Sequence, residues 1–327
     1  MTTSRAAAPG KPERTLKSRV LSGRSALVLA AAAALTALPA AAFAGTDAGA
    51  GSANPGRAEG AGHDAGAAHT SARQAADSSG GWNDDSCKPS SAHPRPVVLV
   101  HGTGGNKTDN WLGLAPYLKD RGYCVFSLDY GQREGVPAAY GLGSIDKSAE
   151  QLRDFVDTVL RTTGAGKVDI VGHSQGGMMP RQYLKFLGGA DKVNALVGIA
   201  PSNHGTTLDG LAKLTDTLPP LGDALDDFGP ALLQQKQGSD FLNRLNEGGD
   251  TVPGVHYTVL ATKYDEVVTP YKSQFLDGPD VKNVLLQDLC PSDVSDHVAV
   301  GTVDKVAFHE TANALDPAHA TPTTCDS

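Results

Sequence analysis

Apolar positions along this chain follow two rhythms. Short, mostly apolar runs at 97–100, 124–128, 168–171, 195–199, 257–261 and 281–286 have the length of strands. Most are apolar at successive positions, as strands buried on both faces are. Between several of them the apolar residues recur every three or four positions. The clearest case is 145–161, where Ile145, Ala149, Leu152, Phe155, Val156, Val159 and Leu160 would line one side of a helix behind Ser144 as N-cap. A second helix is expected near 178–187, with Pro180 tolerable only if it falls in the first turn. Buried strands alternating with helices predict an α/β fold, a mostly parallel sheet covered on both faces. In such sheets sites form at the C-terminal strand edge.

One of those edges carries a serine. In "VDIVGHSQGG", 168–177, Ser174 stands between Gly172 and Gly176 just past an apolar run. In a chain with 38 glycines the Gly-x-Ser-x-Gly spacing arises by chance too readily to decide anything. The context decides: a strand before, small residues on both sides of a tight turn, and a helix after make a nucleophile elbow. A serine hydroxyl also needs a base, a group that orients the base, and donors for an oxyanion. "VVLVHGTGGN", 97–106, runs from a strand into small residues whose amides can point into a site. The expected donors are the Thr103 and Gln175 N–H groups, the latter at a helix N-terminus, and the Thr103 hydroxyl is a candidate third. In "TVLATKYDEVVTP" Asp265 comes first after the apolar run and is the expected acid, with Glu266 as its neighbouring alternative. Of ten histidines, His297 in "CPSDVSDHVAVG" lies in an expected loop after the last strand and gives the order Ser, Asp, His. His309 reads as a helix-face residue, and His204, in "APSNHGTT", as a pocket residue and a weaker rival base.

The ends of the chain change the picture. Residues 1–44 have six basic side chains and one acid, then an alanine-rich run to Phe43 and a small-residue site at Ala42-Phe43-Ala44, the layout of a secretory signal. The alternative is a membrane anchor, disfavoured by Pro39 and by alanine's weak hydrophobicity. No second long apolar run follows, so no membrane span is expected after cleavage. Taking those charges from the 28 basic and 36 acidic residues leaves a net charge of about −13. That disfavours nucleic acid and anionic surfaces as general partners. Residues 45–81, mostly Ala, Gly, Ser, Asp and His, read as a disordered linker, and 82–327 as one catalytic domain. Export makes disulfides the expected use of the four cysteines. Of three connectivities, Cys87–Cys124 with Cys290–Cys325 is favoured, because each bridge ties a terminal segment to nearby structure. No Cys/His spacing points to a metal, and Asp277 and Asp280 do not resemble a calcium loop.

Together "VLVHGTGG", "VGHSQGGMMPR", "APSNHGTT", "KYDEVVTP" and "SDHVAVG" resemble the secreted bacterial class 2 lipases of the α/β-hydrolase superfamily. The likeness spans roughly 82–325. The HGTG turn and a Cys87–Cys124 bridge are also similar to the fungal lipase B type. The resemblance implies Ser174 as nucleophile, Asp265 as acid, His297 as base and Thr103 and Gln175 as oxyanion donors. It also implies hydrolysis of lipid esters without a cofactor, by a monomer acting on substrate at a lipid–water interface. A leucine-dotted insertion at about 204–254 reads either as ordinary helix packing or as a cap lining an acyl pocket. An acyltransferase, thioesterase or polyester depolymerase could use the same residues, and a catalytically dead binding protein is the alternative of another class.

Overall fold

The computed structural model describes residues 82–136, 139–216 and 229–327. The expected signal at 1–44 and linker at 45–81 lie outside them, as does 217–228 of the insertion with Leu218, Leu221, Leu225 and Phe228. The expected strands form as β1 (Val97–Val100), β2 (Val125–Leu128), β3 (Val168–His173), β4 (Val193–Ile199), β5 (His256–Ala261) and β6 (Val281–Leu285). Among the described residues they make one sheet in the order β2-β1-β3-β4-β5-β6, and every pairing is parallel.

Strand alternation sorts the core into two layers. Val98, Val100 and Ile170 face helices α2 (Ile145–Thr163) and α3 (Gln175–Phe186), packing with Leu152, Val156, Met178 and Tyr183. Val97, Leu99 and Val171 face the other side, against α1 (Leu114–Lys119) and α9 (Lys305–Leu315), through Leu114, Leu118, Phe308 and Leu315. Both faces are covered, which is why strands with so few polar positions are stable there. From β1 the chain moves one way, to β2, and from its neighbour β3 it moves the other way, to β4, so a crevice opens at the C-terminal ends of β1 and β3.

Three local expectations need correction. Ser144 does occupy the N-cap of α2, but its side chain makes no cap bond. The Ile145 N–H donates instead to Gln234 Oε1 at 2.8 Å, and Ser148 Oγ donates to the Ser144 carbonyl. Helix α3 starts three residues earlier than the apolar pattern shows, so Pro180 is its sixth residue and lies past the first turn. With no N–H, Pro180 forgoes the bond to the Gly176 carbonyl, the same carbonyl that lies closest to Gly172. His297 is not in a loop. It opens α8 (His297–Thr302), because the Asp296 side chain accepts the Val298 and Ala299 N–H groups at 3.1 and 2.8 Å and caps a helix there.

The described insertion holds α4 (Leu208–Asp216), α5 (Pro230–Gln234) and α6 (Asp240–Asn246), and the short α7 (Leu286–Leu289) follows β6. Phe241 and Leu242 of α6 join the core under α3. Leu214 and Leu232 instead cluster with Leu142, Val267 and Val268. Both expected disulfides form, Cys87–Cys124 and Cys290–Cys325. No described helix is long and apolar enough to cross a membrane.

Candidate active site

The turn between β3 and α3 is tight and strained. Ser174 has φ 55° and ψ −123°, a conformation non-glycine residues rarely adopt. It is held by its N–H bond to the Ile199 carbonyl and by the Gly177 N–H bond to its own carbonyl, both at 2.9 Å. The flanking glycines are required by space. A Cβ on Gly172 would overlap the Gly176 carbonyl, and one on Gly176 would overlap the Val100 carbonyl of β1.

From this turn a continuous relay runs inward. Ser174 Oγ lies 2.9 Å from His297 Nε2, and His297 Nδ1 lies 2.8 Å from Asp265 Oδ2. All three residues are buried. Asp265 follows β5, and its other oxygen, Oδ1, accepts the Val267 and Val268 N–H groups at 2.9 and 2.7 Å. The segment leading into α8 is tied to the end of β5: Thr262 Oγ1 donates to the Ser295 carbonyl, and Gln287 Nε2 donates to Thr262 Oγ1. Behind the relay sits His173, whose pKa burial first, then the nearby His297, depresses to about 3. A neutral imidazole has one proton to give. The shorter contact takes it, from Nε2 to the His297 carbonyl at 2.9 Å rather than from Nδ1 to Asn110 Oδ1 at 3.3 Å.

The β1 turn faces the same serine. Gly102 N–H donates to Asn110 Oδ1, Gly104 N–H to the Tyr140 carbonyl and Gly105 N–H to the Gly102 carbonyl. The Thr103 N–H has no acceptor among the described residues, and neither has that of Gln175 at the start of α3. Thr103 Oγ1 accepts two bonds, from Gln175 Nε2 at 2.8 Å and Gln235 Nε2 at 2.9 Å. The turn is braced by the Tyr130 hydroxyl, which donates to the His101 carbonyl at 2.6 Å, and by stacking of the two rings. Above these groups lies a cavity of about 320 Å³, lined by Gly102, Thr103, Ser174, Leu214, His297 and Val298 among others.

Ser174, Asp265, His297, Thr103, Gln175, Gly172 and Gly176 thus come together from positions far apart in the chain. The rival residues do not join them. The His204 ring faces the Ser273 carbonyl and Asp250, and His309 on α9 bonds Thr321 and Thr323 of the C-terminal tail. Gln235, Gln274 and Asn110 reach the site although nothing in the local sequence pattern distinguishes them. Long-range packing is their only signal. Among the described residues no three His, Cys, Asp or Glu side chains gather as a metal site requires.

Comparison with known proteins gives this arrangement its relatives. Residues 94–307 match the sequence profile of Lipase (class 2). Lipase B of Pseudozyma antarctica is 30% identical over 213 residues, covering 62% of this chain and 56% of that protein. A triacylglycerol lipase of Pseudarthrobacter phenanthrenivorans is 37% identical over 91 residues, 26% of this chain and 27% of that one. The chain therefore spans about half the length, or less, of these curated relatives. The crystal structure of Aspergillus fumigatus lipase B superposes with a TM-score of 0.56 at 22% identity, over 73% of this chain and 57% of that one. The architecture is that of the α/β-hydrolases.

Proposed function

We propose, from the premise that this chain belongs to the class 2 lipase family, that it is a secreted serine hydrolase of lipid carboxylic esters working through Ser174, His297 and Asp265. The observation that carries this reading is the unbroken relay from Ser174 Oγ to Asp265 Oδ2 at a cavity, beside the Thr103 and Gln175 N–H groups, which have no acceptor among the described residues. In acylation His297 Nε2 takes the Ser174 proton as Oγ attacks the ester carbonyl carbon. The Thr103 and Gln175 N–H groups stabilise the oxyanion. His297 returns the proton to the leaving alcohol, then takes one from the water that cleaves the acyl-enzyme. Asp265 holds Nδ1–H throughout, so Nε2 stays free to act as base.

Several features support the wider reading. Leu214 and Val298 give the cavity apolar walls suited to an acyl chain. Val298 is 42% exposed, and Val294 and Val303, on either side of α8, are 70% and 68% exposed, which favours contact with an apolar substrate surface. Two disulfides support export to an oxidising compartment. The complete relay comes from residues 82–327 of one chain, which supports a single catalytic domain acting as a monomer.

Turnover of a soluble short-chain ester, with labelling by a fluorophosphonate, tests the core of this reading. Ser174→Ala is expected to lower kcat by about 10⁴- to 10⁶-fold and to abolish labelling while leaving the fold intact. Activity retained in that variant would refute the assignment.

A further inference from the structure

The Asp265 side chain has no exposed surface, so its charge has to be matched by donors inside the protein. Two backbone groups serve Oδ1. Oδ2, the oxygen that meets His297, has a second donor: Gln274 Nε2, also at 2.8 Å. Gln274 ends the short 3₁₀ helix Tyr271–Gln274 and is fully buried, and its carbonyl Oε1 has no partner among the described residues. For folding alone that is a poor choice. A buried amide oxygen without a donor costs stability, whereas an apolar side chain of the same length would fill the space without that cost. The backbone of Gln274 is also fixed from the elbow side. Asn203 Nδ2 donates to the Gln274 carbonyl at 2.6 Å, and the Asn203 carbonyl accepts from Arg181 of α3 at 3.2 Å.

We propose that Gln274 is a positioning residue for the triad: its side-chain N–H holds Asp265 Oδ2 where the His297 Nδ1–H meets it, which keeps Nε2 aimed at Ser174. This rests on the hydrolase reading above and adds what orients the acid. Gln274 is not among the residues lining the cavity, so its influence runs through Asp265 and His297 and falls on kcat rather than on substrate binding. The ionisable groups around this carboxyl are His297 and, behind it, His173, which stays neutral through burial.

The test uses the full chain, a soluble short-chain ester and the downfield NMR resonance of the His297 Nδ1 proton. Gln274→Met keeps the length and removes the donor. It is expected to lower kcat by about 10- to 100-fold with KM within about twofold, and to move the resonance. Gln274→Glu can donate when protonated and repels Asp265 when ionised, so its activity relative to Gln274→Met should rise as the pH falls. A Gln274→Met enzyme with unchanged kcat and an unmoved resonance would overturn the inference. So would a loss shared by kcat and KM, with Gln274→Glu tracking Gln274→Met at every pH, because that pattern marks a merely structural residue. The resonance does not depend on turnover, so an inactive wild type would count against the hydrolase reading while the contact itself is still read.

Discussion

Thr103 Oγ1 accepts hydrogen bonds from two glutamine amides, and both amides are oriented by other contacts. Gln175 Nε2 also donates to the Gly141 carbonyl at 2.8 Å, while Gln235 Oε1 accepts from Ser202 Oγ and Gln235 Nε2 reaches the Ala231 carbonyl. A hydroxyl has two lone pairs and one proton. With both lone pairs taken, the Thr103 proton is left for a third direction, and Thr103 lines the cavity over Ser174. On the hydrolase reading proposed above, the hydroxyl would be a third donor to the oxyanion, beside the two proposed backbone amides. Thr103→Ala should lower kcat by about 10²-fold, as loss of one such donor does elsewhere, while Thr103→Ser should stay within several-fold of wild type. Equal rates for Ala and Ser, measured on one soluble ester, would rule the hydroxyl out. Thr103 and Ser174 were legible in the sequence because each stands just after an apolar run, among small residues. Gln235 was not, since a glutamine at the end of a short helix in a leucine-dotted insertion looks like surface until folding brings it across 132 positions to Thr103.

At the scale of elements, β-strands were legible and helix starts only in part: α2 begins at Ile145 as expected, whereas what caps it and where α3 and α8 begin were not, for a physical reason. The four inner strands β1, β3, β4 and β5 and the edge strand β2 are mostly buried on both faces, so each leaves a largely apolar run bounded by polar or glycine-rich turns, while the edge strand β6 keeps Lys282 and Asn283 exposed. A helix start is instead decided by which group takes the first free N–H donors. At α2 the sequence shows a serine, yet a glutamine 89 positions away does the work. At α3 the first turn is Gln175, Gly176 and Gly177, with no apolar stripe to announce it, although all three are buried. At α8 the cap is local: Asp296 accepts the Val298 and Ala299 N–H groups immediately ahead of a six-residue helix whose first residue is His297. So short a helix has little stability of its own, which makes its cap matter for the histidine it carries. Asp296→Ala is expected to cost about 1 kcal/mol of stability and Asp296→Asn much less. Urea midpoints and kcat of both variants check this. An Asp296→Ala protein with an unshifted midpoint would show that packing, through Val300 in the core below, holds α8 without its cap.

Over the whole molecule, placing the two glycine turns at the crevice beside β1 and β3 buries the histidines next to them, and this makes stability depend on pH. His101, after β1, is fully buried, and desolvation lowers its pKa to about 4. His173, before Ser174, is lowered to about 3, by burial first and then by the neighbouring His297. In the unfolded chain both would titrate near the ordinary value of 6.5. The unfolded state therefore binds protons more readily than the folded state, so stability rises with pH across this range. The contribution of the two neutral rings is full above about pH 6.5 and is lost as the pH falls toward 4 for His101 and 3 for His173. Asp169 and Asp304, both shifted upward chiefly by burial, act the other way, but from a lower ordinary value of 3.8. Between pH 7 and 5 the histidines therefore dominate this group, at about 2 kcal/mol each. His101→Phe isolates one of them, since it keeps a ring against Tyr130 and removes the titration. In urea unfolding at pH 7 and pH 5, the gap between the two stabilities should shrink by about 2 kcal/mol in this variant relative to wild type. A gap of undiminished size would mean that the acid sensitivity arises elsewhere, and that enclosing the β1 turn carries no such penalty.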